Sequence, residues 1–230
     1  MSRFSRLPLA ILLPAAIFLA VPAFAQEDAG TQSVQAPKKE KKSEIVLKVE
    51  VAPSGQIDAH NSITSAAGTV SFGKEREAEN TGLYLAAEYY YYPLKFLAVG
   101  AGFKQQFDRH VKYFGDLAIS NFYVAVKPKL YLNPPAGLNC TEAVYLIGQF
   151  GYGVINKALE ISNPAGDSFS ATTDSGLYYA GGIGFQVDNF VFEILFAVNK
   201  FKVNGINESS GTLNCNYTTT NLNVGYRFWL

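Results

Sequence analysis

Histidine and cysteine are nearly missing from this 230-residue chain, which holds two of each. Two Cys cannot build a disulfide framework or a four-thiolate zinc site, and two His make a multi-histidine metal centre untenable, so no metal and no cofactor are expected. A surplus of either charge is also missing. Lys and Arg number 19 and Asp and Glu number 19, which excludes a basic nucleic-acid surface as the leading reading. Charged residues make up 17% of the chain, against about a quarter in ordinary soluble domains. Beyond the N-terminal region no apolar run is long enough to cross a membrane as a helix. What the chain does have is 17 Phe, 14 Tyr and 20 Gly, in a sequence that is 48% hydrophobic. That is too apolar for disorder. Few charges, many rings and much glycine point to β-structure in an unusual solvent.

Residues 1–25 read as an export signal. Arg3 and Arg6 give a positive start, Leu7 to Val21 is apolar apart from Pro8 and Pro14, and Ala23-Phe24-Ala25 supplies a cleavage pattern before Gln26. The stretch is too short and too proline-bearing for a convincing transmembrane helix. Residues 26–43, QEDAGTQSVQAPKKEKKS, lack any apolar period and read as a disordered periplasmic tail. The cluster Lys38, Lys39, Lys41 and Lys42 suits an anionic wall polymer, but such runs are more often simply solvated. Residues 44–230 form the remaining domain. An exported chain of this kind is either soluble outside the cytoplasm or a barrel in an outer membrane.

From Ile45 onward the hydrophobic period is two. It predicts eight strands at 45–55, 82–92, 95–107, 117–132, 143–155, 176–187, 190–201 and 219–230. The connections alternate. Tyr92-Pro93-Leu94 and Asp188-Asn189 are tight turns and Asn133 to Gly137 a medium one, whereas 56–81, 108–116, 156–175 and 202–218 read as loops, three of them long and polar. Short turns at one rim and long loops at the other are the asymmetry of outer-membrane barrels. With an even strand number both termini fall at the short-turn rim, which is periplasmic.

The two faces of these strands differ in kind. Phe190, Phe192, Ile194, Phe196 and Val198 lie opposite Glu193, Ala197 and Asn199, and a two-residue Asp188-Asn189 turn pairs Val187 with Phe190 on the apolar face. The less apolar face carries Lys48, Glu50, Glu88, Lys104, Lys127, Lys129, Glu193 and Arg227, while Lys95 and Lys200 are exceptions near strand ends. A soluble barrel puts its apolar side chains inside and its charges outside. Here glycines such as Gly102 and Gly184 share the charged face, leaving room for long side chains, and Tyr89, Tyr91, Phe107 and Phe190 stand on the apolar face near strand ends like an interfacial girdle. The expected fold is therefore all-β, an eight-stranded antiparallel up-and-down transmembrane barrel with a charged lumen. Glu193 and Arg227, each fourth from an end of adjacent strands, are expected to pair. Cys140 in a periplasmic turn and Cys215 in an outer loop, separated by a belt about 25 Å tall, are expected to stay free thiols.

Residues 45–230 resemble the small eight-stranded outer-membrane barrels of the OmpA, OmpX and OmpW type. Leu222, Val224, Tyr226, Phe228 and Leu230 resemble the C-terminal signal that barrel-assembly machinery reads in that class, although the usual final Phe is here Leu230. The resemblance implies an outer-membrane location, contact with outer-membrane lipid and lipopolysaccharide, and a monomer. No peptidoglycan-binding domain is expected after the barrel, so the wall-anchoring role of larger OmpA-type proteins is not implied. Some small barrels modify lipid A with His and Ser near the outer rim, and His60 with Ser62 or His110 with Asp108 offer fragments of such a site, but no complete nucleophile–base–orienter set is visible. The favoured reading is a non-enzymatic barrel for envelope integrity or surface-ligand binding through its long loops. The alternatives are a narrow channel for small or apolar solutes and a lipid A enzyme.

Overall fold

Eight long strands run antiparallel and close on themselves. We label them β1 (Ser43–His60), β2 (Gly82–Leu94), β3 (Leu97–Gln106), β4 (Ile119–Tyr131), β5 (Glu142–Ile155), β6 (Gly176–Val187), β7 (Phe190–Gly205) and β8 (Ser210–Trp229). Each pairs with its neighbours in sequence, and β8 pairs with β1 from Glu44 opposite Trp229 to His60 opposite Asn214. The computed structural model describes residues 42–60, 62–65, 68–71, 76–77, 80–132, 142–157, 159–162, 168–205 and 210–230. The expected export signal, the tail up to residue 41 and Cys140 lie outside them. Among the described residues there is no helix.

Period-two alternation is what lets one ribbon serve two environments. On β2, Gly82, Tyr84, Ala86, Glu88, Tyr90 and Tyr92 turn inward while Leu83, Leu85, Tyr89 and Tyr91 stay exposed. Glycine makes room for rings inside: a Cβ on Gly102 would stand 2.6 Å from the Tyr123 ring. The β6–β7 turn is the expected two-residue one. Val187 opposes Phe190, and Asp188 takes the left-handed conformation at φ 50° that Asp tolerates.

Two prolines sit at register shifts inside strands. Pro93 does not end β2; the strand runs to Leu94, which pairs with Leu97, and the turn falls at Lys95-Phe96. Between Tyr91 and Leu94 the register shifts, so Pro93 sits at an irregularity where no ladder donor is needed. Pro53 occupies a second such shift, between Val51 and Ser54 of β1. There the inward parity changes from Val46, Lys48, Glu50 and Ala52 to Gly55, Ile57 and Ala59.

The expected long loops are largely sheet. β1, β7 and β8 continue well past the membrane belt, with β7 and β8 paired up to Asn204 opposite Thr212. Ser62–Ser65 and Gly68–Ser71 form one hairpin, and Leu159–Ser162 and Ser168–Asp174 form another that pairs with β7. Arg109–Val111 and Gly115–Leu117 make a third, a separate two-stranded sheet. Cys215 thus lies within β8, opposite Ala59 and Phe201, and not in a loop; its side chain is buried and its thiol free.

These extensions reverse the polarity of the strands. Across the belt the exposed positions are apolar, with Val124 61%, Leu146 61% and Phe196 63% exposed. Beyond Val198, β7 exposes Lys200 and Lys202 and buries Phe201 and Val203; β8 likewise buries Leu213, Cys215 and Tyr217. The barrel is inside-out in lipid and an ordinary apolar-cored sheet structure where it projects into water.

Candidate functional site

The lumen is the chemically dense part of the molecule. All eight charged residues expected to face it are buried. At their centre Glu193 accepts from Lys48 Nζ at 2.6 Å and lies 2.9 Å from Lys127 Nζ, with Tyr145 OH donating at 2.9 Å and Asn223 Nδ2 at 3.2 Å. Glu88 meets the same two ammonium groups, Lys48 at 2.6 Å and Lys127 at 3.3 Å, and accepts from Tyr90, Tyr123 and Gln149. Two carboxylates and two lysines from β1, β2, β4 and β7 therefore form a square. Lys127 also lies over the Tyr90 ring, 4.1 Å from its centroid. Such a set tolerates burial because every charge has opposite charges and hydrogen bonds around it.

A second layer lies toward the loop end, where Lys104 donates to Glu50 at 3.3 Å and sits 4.8 Å from the Tyr178 ring centroid. A third lies at the short-turn end. Lys129 and Arg227 approach Glu44 at 3.6 and 3.4 Å, Lys129 donates to Gln186 and to Tyr92 OH, and Arg227 stacks over Trp229.

The expected Glu193–Arg227 pair is not formed. Glu193 opposes Asn223, and Arg227 lies four residues further along β8, roughly 13 Å at strand rise. Counting from strand ends failed because β8 overhangs the β6–β7 turn: Phe190 opposes Tyr226, not Leu230. Glu44, which takes Arg227 instead, precedes the expected first strand at 45–55, whereas β1 begins at Ser43. Arg109, fully buried, falls in the expected loop 108–116.

Above the charged layers the lumen is filled by apolar side chains. Ile57, Phe201, Val203, Leu213, Cys215 and Tyr217 from the walls pack with Val111, Phe114 and Leu117 of the third hairpin. The signal for this was present, since 57/59, 201/203 and 213/215/217 continue the period of two with the polarity exchanged.

Outside the lumen, the two histidines face carboxylates. His60 Nε2 lies 3.2 Å from Asp58 and His110 Nδ1 lies 3.1 Å from Asp116. Asp108, expected beside His110, accepts from Lys157 at 2.9 Å; the Ser62 side chain is outside the described residues. The Asp116 carboxyl is held below the usual range, first by its bond to His110 and then by Lys157, and the Lys157 ammonium is raised by Asp108 and Asp116. Among the described residues no group of three or more His, Cys, Asp or Glu could hold a metal ion. Leu222, Val224 and Tyr226 point into the outer belt, and Phe228 and Leu230 continue that side to the end, where Leu230 N donates to Ser43 O at 2.9 Å.

A closed strand cylinder with a charged interior and an apolar belt is a transmembrane β-barrel, and the architecture is that of the small eight-stranded outer-membrane barrels. No protein-family model matches the chain, and no curated protein matches it in sequence. Solved structures do resemble it. The outer membrane protein OprG of Pseudomonas aeruginosa is 14% identical, with TM-score 0.49 over 83% of this chain and 98% of that one. The outer membrane protein AlkL, solved in lipid bilayers, is 10% identical, with TM-score 0.48 over 89% and 97%. Ail, the attachment invasion locus protein of Yersinia pestis, solved with a heparin analogue, is 17% identical, with TM-score 0.40 over 81% and 99%. At these identities the likeness concerns the fold alone.

Proposed function

We propose that the protein is an integral outer-membrane barrel, closed at rest, which acts without catalysis through the β-structured projection at its loop end, in envelope integrity or in binding a surface ligand. One observation carries this reading: the lumen is occupied along its length, by ion pairs toward the short-turn end and by apolar packing toward the loop end. Eight strands enclose little more than their own side chains, so a resting water path has no room. The same observation weighs against a constitutive channel. Removal of the export signal near Ala25-Gln26, periplasmic termini, insertion through the barrel-assembly machinery by way of Leu222 to Leu230, and a monomer bathed in lipid and lipopolysaccharide complete the proposal. The Lys-rich tail remains a solvated periplasmic extension in it.

Single-channel recording in planar bilayers is the direct test. The expected result is no stepwise conductance from the folded wild-type barrel. Sustained openings at rest would replace this reading with the narrow channel. Exchanging the hairpins 62–71 and 159–174 for short turns, with the barrel still folded, is then expected to remove surface binding while leaving insertion intact.

A further inference from the structure

The connection between β3 and β4 leaves the wall between Phe107, whose N donates to Leu83 O, and Ala118, whose O accepts from Asn156 N. It folds inward as the hairpin Arg109–Leu117, whose two short strands pair only with each other. What holds the hairpin is nearly all side-chain chemistry. Val111, Phe114 and Leu117 are fully buried against Ile57, Phe201, Leu213 and Cys215 of the walls. Gln106 Nε2 donates to Leu117 O at 2.9 Å. Outside, Lys157 spans both arms, at 2.9 Å from Asp108 and 3.4 Å from Asp116.

Arg109 is the unusual member. It is fully buried and is fastened to three different strands or their ends. Nε donates to Asn80 O at 2.8 Å, and Nη1 donates to Ser54 O at 3.3 Å and to Tyr217 OH at 2.9 Å. The wall is shaped for it, because Gly55 and Gly82 have no side chain where the guanidinium lies; a Cβ on Gly82 would meet Nη1 at 3.1 Å. Yet among the described residues every acceptor is neutral, and Nη2 has no hydrogen-bond partner. In contrast, each lysine of the lumen has a carboxylate within ion-pair distance. Among the described residues Arg109 is thus the luminal cation with no carboxylate in ion-pair distance, and a buried guanidinium so placed gains much by returning to water. Apolar packing and three hydrogen bonds hold the hairpin in, while desolvation of Arg109 opposes them.

We propose that the hairpin Arg109–Leu117 is a movable outer closure of the lumen, latched by Arg109 and clamped from outside by Lys157. It swings on its two ends at Phe107-Asp108 and Ala118, leaving the barrel wall intact. The proposal extends the closed-lumen reading, and its test does not use conductance, so the two fail separately.

Cys215 is the reporter, since its free thiol is buried in the cluster the hairpin covers. In a Cys140→Ser background, the rate of maleimide labelling of Cys215 is followed in barrels refolded into lipid vesicles, with heat-modifiable gel mobility confirming the folded state. Arg109→Ala removes three bonds from a charged donor and is expected to raise the rate roughly tenfold or more. Phe114→Ala is expected to raise it as well. For the parent, moving from low to high salt is expected to raise the rate about two- to threefold, because Lys157 and its aspartates are exposed and screened, and Lys157→Gln is expected to abolish that salt response. Unchanged labelling in folded Arg109→Ala and Phe114→Ala barrels would overturn the proposal. So would a rise that tracks loss of folded mobility, because the whole barrel would then be opening. If Arg109→Ala does not fold, Phe114→Ala and the salt response decide the matter.

Discussion

Removing Glu193 should unbalance the centre of the barrel, and the geometry says which second change repairs it. In Glu193→Ala, Lys48 and Lys127 are left to share Glu88, and the hydroxyl of Tyr145 and the amide of Asn223 each lose an acceptor. Breaking a buried ion pair from one side costs about 3–5 kcal/mol. Lys127→Ala leaves the opposite imbalance, two carboxylates around Lys48. The double change leaves Lys48 with Glu88 at 2.6 Å, a balanced pair. Its cost should therefore fall short of the sum of the singles by at least about 1 kcal/mol, within the usual range for residues in contact. Arg227→Ala is the control. Its carboxylate is Glu44, and Arg227 lies roughly 13 Å from Glu193 along the strand, so Glu193→Ala with Arg227→Ala should be additive to about 0.5 kcal/mol. Urea unfolding in lipid vesicles, read by heat-modifiable mobility, measures all of these. Trp229 fluorescence is unsuitable for Arg227→Ala because the guanidinium stacks on that ring. Additivity for Glu193 and Lys127, or strong coupling for Glu193 and Arg227, would refute the network as described.

Other outcomes are expected. Ile194→Arg or Phe196→Arg places a charge in the exposed apolar belt and should cost about 2–4 kcal/mol of folding free energy in bilayers, whereas Ala197→Arg, one step along and inside, should be limited by crowding and not by lipid; equal tolerance of Arg at all three positions in refolding titrations would contradict the face assignment. Deleting Phe228 to Leu230 removes the Leu230 bond to Ser43 and the end of the closing strand, and should leave an unfolded periplasmic species in cell fractionation. Acid should loosen the hairpin clamp. Asp116 has a lowered pKa in the fold, so its stabilisation is complete above the ordinary Asp value of about 3.9 and is lost as pH falls through the lowered one; because the thiolate is the reacting form, each Cys215 labelling rate is divided by that of the unfolded chain at the same pH, and this ratio at pH 3 should exceed that at pH 6, with Lys157→Gln shrinking the difference.

Much of the transmembrane part was legible because period two and charge segregation are local signals. The eight inward charges and the pairing of Val187 with Phe190 follow from alternation and turn length alone. The projection was harder to read. There the rule that apolar means outside reverses, so Ile57, Val203 and Leu213 fall in segments expected as loops when they are the core of a second, water-facing layer. Arg109 was invisible for another reason: its partners are backbone carbonyls and one Tyr from distant strands, which no spacing rule brings together. Depth in the lumen was misjudged for Arg227 because stagger between strands is set by how the cylinder closes, not by distance from a turn.

The central square also constrains how the chain gets into a membrane. Lys48 comes from the first strand, Glu88 from the second, Lys127 from the fourth and Glu193 from the seventh. A partly inserted sheet holding only the first four strands carries Lys48 and Lys127 with a single carboxylate between them, and it turns that surplus toward acyl chains. Every such intermediate is uphill until the seventh strand arrives, and its ladder edges remain unpaired until β8 meets β1. The early strands have nothing to gain by entering lipid ahead of the late ones. Insertion and closure should therefore occur as one cooperative event, with refolding kinetics in vesicles showing a single phase and no stable half-barrel.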